Sequence, residues 1–220
     1  MKERRLVWDL PTRFFHWFFA SSFIGAYLTG DSERWMLWHV AFGYSMLGLI
    51  CFRVVWGLVG TRYVLFSEFV TGVSAIVRYL RSLISAKPIH YVGHNPLGAL
   101  SILILLMLGL LAGFSGLLLY NEVDLAGLES FHELTANLML LIVFIHILGV
   151  LVSSWLHQEN LIRAMIDGRK NINAQQAITK KHIKVAWLIV LSLLAFWIAF
   201  FEISPYLLTY FSRFLVSKAN

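Results

Sequence analysis

Two stretches of this chain, Pro96 to Tyr120 and Leu134 to Leu156, contain no Lys, Arg, Asp or Glu at all. A helix rising about 1.5 Å per residue needs roughly 17 to 25 apolar residues to cross the hydrocarbon core of a bilayer, and both runs meet that length. Three further apolar stretches, Phe14 to Leu28, Met36 to Phe52 and Val185 to Phe201, are shorter, with Trp8, Trp17, Trp35, Trp38, Trp56 and Trp187 expected near the interfaces. Composition agrees: 59% of the 220 residues are hydrophobic and 14% charged, against about 45 to 50% and 25% in soluble domains. The expectation is an all-α integral membrane bundle, not a water-soluble globule. The net charge of +6 is read as loop charge rather than a nucleic-acid surface, so no nucleic-acid partner is expected. A single cysteine, Cys51, excludes a disulfide framework, a cysteine-ligated iron–sulfur cluster and a CxxCH haem attachment.

Orientation follows from the basic residues. With the N-terminus in the cytoplasm, 15 of the 18 Lys and Arg fall on the inside and only Arg34, Arg213 and Lys218 outside, which predicts N-in and, with five spans, C-out. The first span carries no small-residue cleavage site and is read as a retained helix. Spans are expected at about 14–30, 36–59, 96–120, 131–156 and within 185–220, whose end is a periplasmic tail. Between the second and third, Phe66, Phe69, Val70, Val73, Ile76, Val77, Leu80, Leu83 and Ile84 recur at helical spacing opposite Glu68, Arg78 and Arg81, predicting a cytoplasmic amphipathic helix over about 64–86. Packing of that helix on another subunit is the alternative. Residues 161–184 are expected to be a basic cytoplasmic connector turning at Asp167-Gly168.

Four histidines lie in or at the ends of spans: His16, His39, His132 and His146. An ionisable side chain at membrane depth is costly and needs a partner. His132 and His146 are 14 residues apart, which separates them by about 21 Å along a helix and, at about 100° per residue, leaves them within about 40° of the same face. One helix therefore offers two imidazoles at two depths, and the orientation pairs His39 with His132 outside and His16 with His146 inside. Facing neutral imidazoles in a bundle suit the axial positions of haem b, two per chain, whereas two such distant pairs cannot form a compact zinc tetrahedron. The span glycines Gly25, Gly43, Gly48, Gly98, Gly109, Gly113, Gly116 and Gly149 either make room for a flat macrocycle or let helices pack closely.

The runs VWDLPTRFFHW (7–17), FRVVWGLVGTRY (52–63), YVGHNPLGAL (91–100), FHELTANLML (131–140) and SSWLHQENLIRAMIDGRK (153–170) resemble the bacterial cytochrome b561 family, related to the cytochrome b subunits of nickel–iron hydrogenases. The resemblance covers roughly residues 6 to 170. It implies a four-helix di-haem core over 1–160 in the bacterial inner membrane, with His16, His39, His132 and His146 as iron ligands. It also implies electron exchange between membrane quinone and a periplasmic redox protein, a c-type cytochrome or hydrogenase-like subunit. The last span lies outside the resemblance.

Other residues carry open alternatives. Arg13 and Arg53, at the cytoplasmic ends of the first two spans, are placed to bind a haem propionate through two hydrogen bonds or to anchor the topology. His94 either hydrogen-bonds a propionate or a quinone carbonyl, or caps the third span, since Gly93 and Asn95-Pro96 argue against a helix joining it to His90. His157 and His182 are expected to be solvated. The outer acidic residues Asp31, Glu33, Glu122, Asp124, Glu129 and Glu133 either steer a basic partner or form a solvated rim. The resulting expectation is a transmembrane electron conduit. A superoxide:quinone oxidoreductase ranks second, because that anion would be attracted by a positive outer face, and a haem-free anchor or proton-relay subunit is the third reading.

Overall fold

The computed structural model describes residues 2–85 and 89–218. Of the loop charges assigned above, Lys87 lies outside the described residues, as do the side chains of Arg213 and Lys218. The chain runs β1 (Glu3–Leu6), α1 (Leu10–Thr29), α2 (Met36–Val59), α3 (Phe66–Phe69), α4 (Val73–Ile84), α5 (Pro96–Tyr120), α6 (Leu128–Leu156), α7 (Leu161–Asp167), β2 (Arg169–Ile172) and α8 (Ile183–Lys218), with short 3-10 turns at Glu33–Trp35, Arg62–Val64 and Ala174–Gln176. Local chemistry sets the helix starts. Asp9 caps α1 by accepting from the Thr12 amide, with Pro11 in the first turn, and Asn95 caps α5 by accepting from the Gly98 amide ahead of Pro96.

Packing builds the bundle in chain order: α1 lies along α2, α2 against α5, and α5 against α6, while α8 docks on α1 and α2. Two apolar clusters fill its middle, one around Phe15, Leu49, Ile50 and Leu106 and one around Phe23, Met46, Leu108 and Met139. α8 contributes Ile189 to the first, and its Trp197 donates to Ser45 Oγ across 2.9 Å. Four helices, Glu33–Val59, Pro96–Tyr120, Leu128–Leu156 and Ile183–Ile203, are long and apolar enough to cross a membrane. α1, the first of the five expected spans, is not among them. Its 20 residues, about 30 Å of helix, include Thr12, Arg13, His16, Ser21 and Ser22, which dilute its hydropathy.

Two regions differ from the sequence reading. The amphipathic helix expected over about 64–86 is broken: α3 stops at Phe69, Val70 is extended, and α4 restarts behind Gly72. In α4 the packed side is Ala75, Tyr79 and Ser82, while Val73, Val77, Leu80 and Ile84 form an exposed apolar stripe. The connector after α6 is structured rather than a plain polar linker. α7 ends at Gly168 in the left-handed region (φ 78), where a Cβ would meet the Trp8 carbonyl oxygen at 2.5 Å. β2 then pairs antiparallel with β1, Glu3 opposite Ile172 and Leu6 opposite Arg169. Val7, Trp8, Trp56, Val64, Ala164 and Ile172 form a third buried cluster beneath this ladder.

Candidate haem-binding site

Helix α6 presents one face to the bundle. His132 near its start meets His39 of α2, with ring centroids 5.9 Å apart and planes at 76°. Each ring is held through Nδ1: that of His39 lies 2.8 Å from the Ala26 carbonyl oxygen, and that of His132 lies 3.0 Å from the Ala112 carbonyl oxygen and 3.0 Å from Ser115 Oγ. A neutral imidazole that donates Nδ1–H to a carbonyl keeps its lone pair on Nε2, the tautomer that metal-binding histidines adopt. The two rings line a small cavity of about 50 Å³ together with Gly43, Gly113, Gly116 and Tyr120.

The glycines divide between the two readings offered for them. Gly25 packs on the Phe42 ring and Gly109 on Ile50 and Phe19, so these serve close helix contact. Gly43, Gly113 and Gly116 line the cavity, and a Cβ at Gly116 would come 2.9 Å from His132 Cε1. A Cβ at Gly43 would meet nothing among the described residues within 4 Å. Gly48 and Gly149 are exposed and away from the cavity.

The second level holds His16 of α1 and His146 of α6, close enough to interact electrostatically. His94, just before α5, joins them from the loop side and also feels His146. It is sandwiched between the rings of Trp8 at 4.5 Å and Phe69 at 4.8 Å. Burial first, then Arg53, His146 and Lys170, pull its pKa down to about 3, so His94 is neutral. Three buried polar atoms at this level have no hydrogen-bond partner among the described residues: His16 Nδ1, His94 Nδ1 and Arg53 Nη1. Such groups are costly unless something else satisfies them. Arg53 is 3% exposed, donates through Nη2 to the Val64 carbonyl at 3.1 Å, and sits over the Phe66 and Phe69 rings. Its other terminal amino group is suited to an anionic carboxylate. Arg13 is committed differently, donating to the Asp9 and Ile166 carbonyls and so tying α1 to the end of α7.

Among the described residues no cluster of three or more His, Cys, Asp or Glu is arranged to hold a metal ion directly. The family model described as prokaryotic cytochrome b561 matches residues 7–168, which contain α1 to α7 and all four span histidines. The chain belongs to the prokaryotic cytochrome b561 family. It is accordingly a multi-pass bacterial membrane protein of haem-b electron transfer. No curated protein and no solved structure matches it. α8 lies beyond the matched region.

The cytochrome contains site-supporting residues that the sequence reading passed over. Asp9 is fully buried and gathers the Thr12 amide and hydroxyl, Trp56 Nε1 at 3.2 Å and Thr61 Oγ1 at 2.6 Å. Its only sequence signal was the capping pattern Asp-Leu-Pro-Thr. Two histidines expected to be solvated are partly covered. His182 packs on the Trp56 ring at 5.1 Å, and His157 is half-buried against His90 at 5.1 Å. A second cavity, about 190 Å³, opens beside His94 and is lined also by Tyr63, Phe69, Tyr91 and Arg62. The acidic residues Asp31, Glu33, Glu122, Asp124, Glu129 and Glu133 are all exposed, with Arg34 spread over Trp35.

Proposed function

We propose that this cytochrome is a transmembrane electron conduit that holds two haem b groups, bis-His ligated by His39 with His132 and by His16 with His146, and passes electrons between a membrane quinone and a periplasmic redox protein. The observation that carries the reading is the His39–His132 pair, each ring fixed at Nδ1 by a backbone carbonyl beside a glycine-lined cavity. When bound, haem b would supply a one-electron couple, with His39 and His132, and His16 and His146, as the residues that would hold it. The rest is the work of the chain. Ala26 and Ala112 fix the outer ring tautomers and Ser115 Oγ adds a third contact to His132. Arg53, with Nη1 unpaired among the described residues, neutralises a propionate at the inner level, and the apolar bundle keeps water away from both.

In this reading α1 is a fifth span, the N-terminus is cytoplasmic and the C-terminus periplasmic. Residues 1–160 form the di-haem core, 161–184 the connector and 185–220 the added helix and tail. The exposed stripe of α4 then rests on the cytoplasmic leaflet. The cavity beside His94 is the quinone headgroup site, because a neutral, desolvated imidazole nitrogen and flanking aromatic rings suit a ring that alternates between carbonyl and hydroxyl. The acidic outer rim suits a basic redox protein and disfavours superoxide. The test is haem stoichiometry and spectra of single variants: His132→Ala loses or perturbs only the outer haem and His146→Ala only the inner. A His39 variant that changes the same haem as His146, leaving that of His132 intact, refutes the pairing, and colourless protein from haem-replete cells refutes the whole reading.

A further inference from the structure

The loop before α5 forms one wall of the cavity beside His94, to which it gives Tyr91, Val92, Gly93 and His94 itself. Backbone groups outside regular structure still need hydrogen-bond partners, and here the connector after α7 supplies them. Lys170 on β2 extends Nζ to the Val92 carbonyl oxygen at 3.0 Å, the Tyr91 carbonyl oxygen at 3.3 Å and Glu159 Oε2 at 2.8 Å. An ammonium group carries three protons, and three acceptors meet it. The other carboxylate oxygen, Glu159 Oε1, lies 3.3 Å from His90 Nε2, so the same ion pair reaches the side chain that precedes Tyr91. The Lys170 side chain is 4% exposed and that of Glu159 14%. A charge so far withdrawn from water is costly unless it is paired and hydrogen-bonded, and a lysine that only made the connector basic would stand in solvent.

The connector holds the facing wall as well. The Tyr63 hydroxyl donates at 2.7 Å to the carbonyl of Gln176, in the 3-10 turn that follows β2, and both residues line the cavity. Between these two grips the loop has little slack. A Cβ at Gly93 would stand 2.9 Å from Tyr63 Cδ1, and the His94 ring fills the space between Trp8 and Phe69. We propose that Lys170 is a positioning residue for this cavity: by fixing the Tyr91 and Val92 carbonyls it sets the wall, and with the wall the place of the His94 imidazole, while Glu159 neutralises the ammonium where it lies.

This role rests on the quinone reading above and narrows it to the residue that shapes the headgroup site from behind. Lys170 acts through the wall and not on the ligand, so its loss weakens occupancy of the cavity while a quinone that does bind still accepts electrons. Removal of such uniform binding raises KM and leaves the saturated rate in place. None of the four span histidines is a hydrogen-bond partner of Lys170 among the described residues, so haem content and spectra are expected to stay native.

Lys170→Met alone would strand the Glu159 carboxylate, so the test uses the double variant Lys170→Met/Glu159→Gln, which leaves no unpaired buried charge and keeps an amide oxygen for His90. Arg4→Ala is the control: it breaks the Arg4–Asp167 ion pair beside the same β1–β2 ladder without touching the cavity wall. The purified, haem-loaded, pre-reduced cytochrome is mixed with increasing decylubiquinone and haem reoxidation is followed. In the double variant the half-saturating quinone concentration is expected to rise on the order of 10-fold, the worth of two lost orienting hydrogen bonds, with the limiting rate and haem spectra native. Hydrogen–deuterium exchange of residues 89–95, followed by mass spectrometry, is expected to quicken by a similar factor in the double variant, and Arg4→Ala is expected to match the unaltered protein in both measurements. Unchanged exchange in the double variant, quickened exchange with a native KM, or equal effects in Arg4→Ala overturn the role of Lys170 and leave the quinone reading standing. An unaltered cytochrome that decylubiquinone does not reoxidise overturns the quinone reading and the role of Lys170 with it.

Discussion

Gly116→Ala adds one methyl carbon, and the structure says where it goes: 2.9 Å from His132 Cε1, closer than real Cβ atoms stand to a neighbouring carbon. The imidazole has to turn, and in turning it gives up the Nδ1 contacts to Ala112 and Ser115, each 3.0 Å long. A hydrogen bond of this kind is worth about 0.5–1.5 kcal/mol to the fold, so the bundle itself survives. Ligand affinity is more sensitive. Loss of the partner that orients a metal-bound histidine costs about 10–100-fold. At about 1.4 kcal/mol per decade, that is roughly 1.4–2.8 kcal/mol of weakened haem binding at the outer level. Gly48→Ala is the matched control, because Gly48 lies on α2 away from the cavity and its methyl meets nothing among the described residues within 4 Å. The assay is haem titration into apoprotein, read by low-spin absorption and stoichiometry. Gly116→Ala is expected to retain the inner haem fully and fill the outer site only at higher haem concentration. Native affinity in Gly116→Ala, or equal damage in Gly48→Ala, refutes the argument that the His132 ring orientation makes the site shared with His39.

Three further outcomes follow from buried groups. Arg53→Ala is expected to shift the potential of one haem without loss of ligation, measured by redox titration; an unchanged titration leaves Arg53 as a packing residue. Asp9→Ala strands the Trp56 and Thr61 donors and removes the α1 cap, with an expected cost of about 2–4 kcal/mol that thermal unfolding in detergent would reveal. His94 has a folded pKa lowered to about 3 from 6.5, so the unfolded chain binds the extra proton between those values. Stability should therefore fall as pH drops from about 6.5 toward 3, and His94→Gln should flatten that part of the melting-temperature profile.

How much of this was readable in advance depended on the range of the interaction. α5 begins at Pro96 and ends at Tyr120 as its uncharged run does, because Asn95-Pro96 and hydropathy are local signals. The shared face of His132 and His146 followed from helical rise and angle, properties of one helix, whereas the meeting of His39 with His132 needed the order and direction of the spans as well. Arg53 was open between propionate binding and anchoring, and its 3% exposure was not legible, since only the fold brings Phe66 and Phe69 beneath it. The partners of Asp9 lie up to 52 residues away, beyond any local pattern. The four-residue strands β1 and β2 are too short to show alternation, and α4 restarts behind a Gly72 that breaks an otherwise continuous periodicity.

The ladder between β1 and β2 joins residues 3–6 to residues 169–172. A ribosome must therefore release three quarters of the polypeptide before the opening segment finds its mate, and until then Val7 and Trp8 lack the Gly168 carbonyl that receives both their amides. Closing so distant a seam makes assembly of this end late and nearly all-or-none. A bulky fusion placed ahead of Glu3 should trouble biogenesis far more than one added after the last helix.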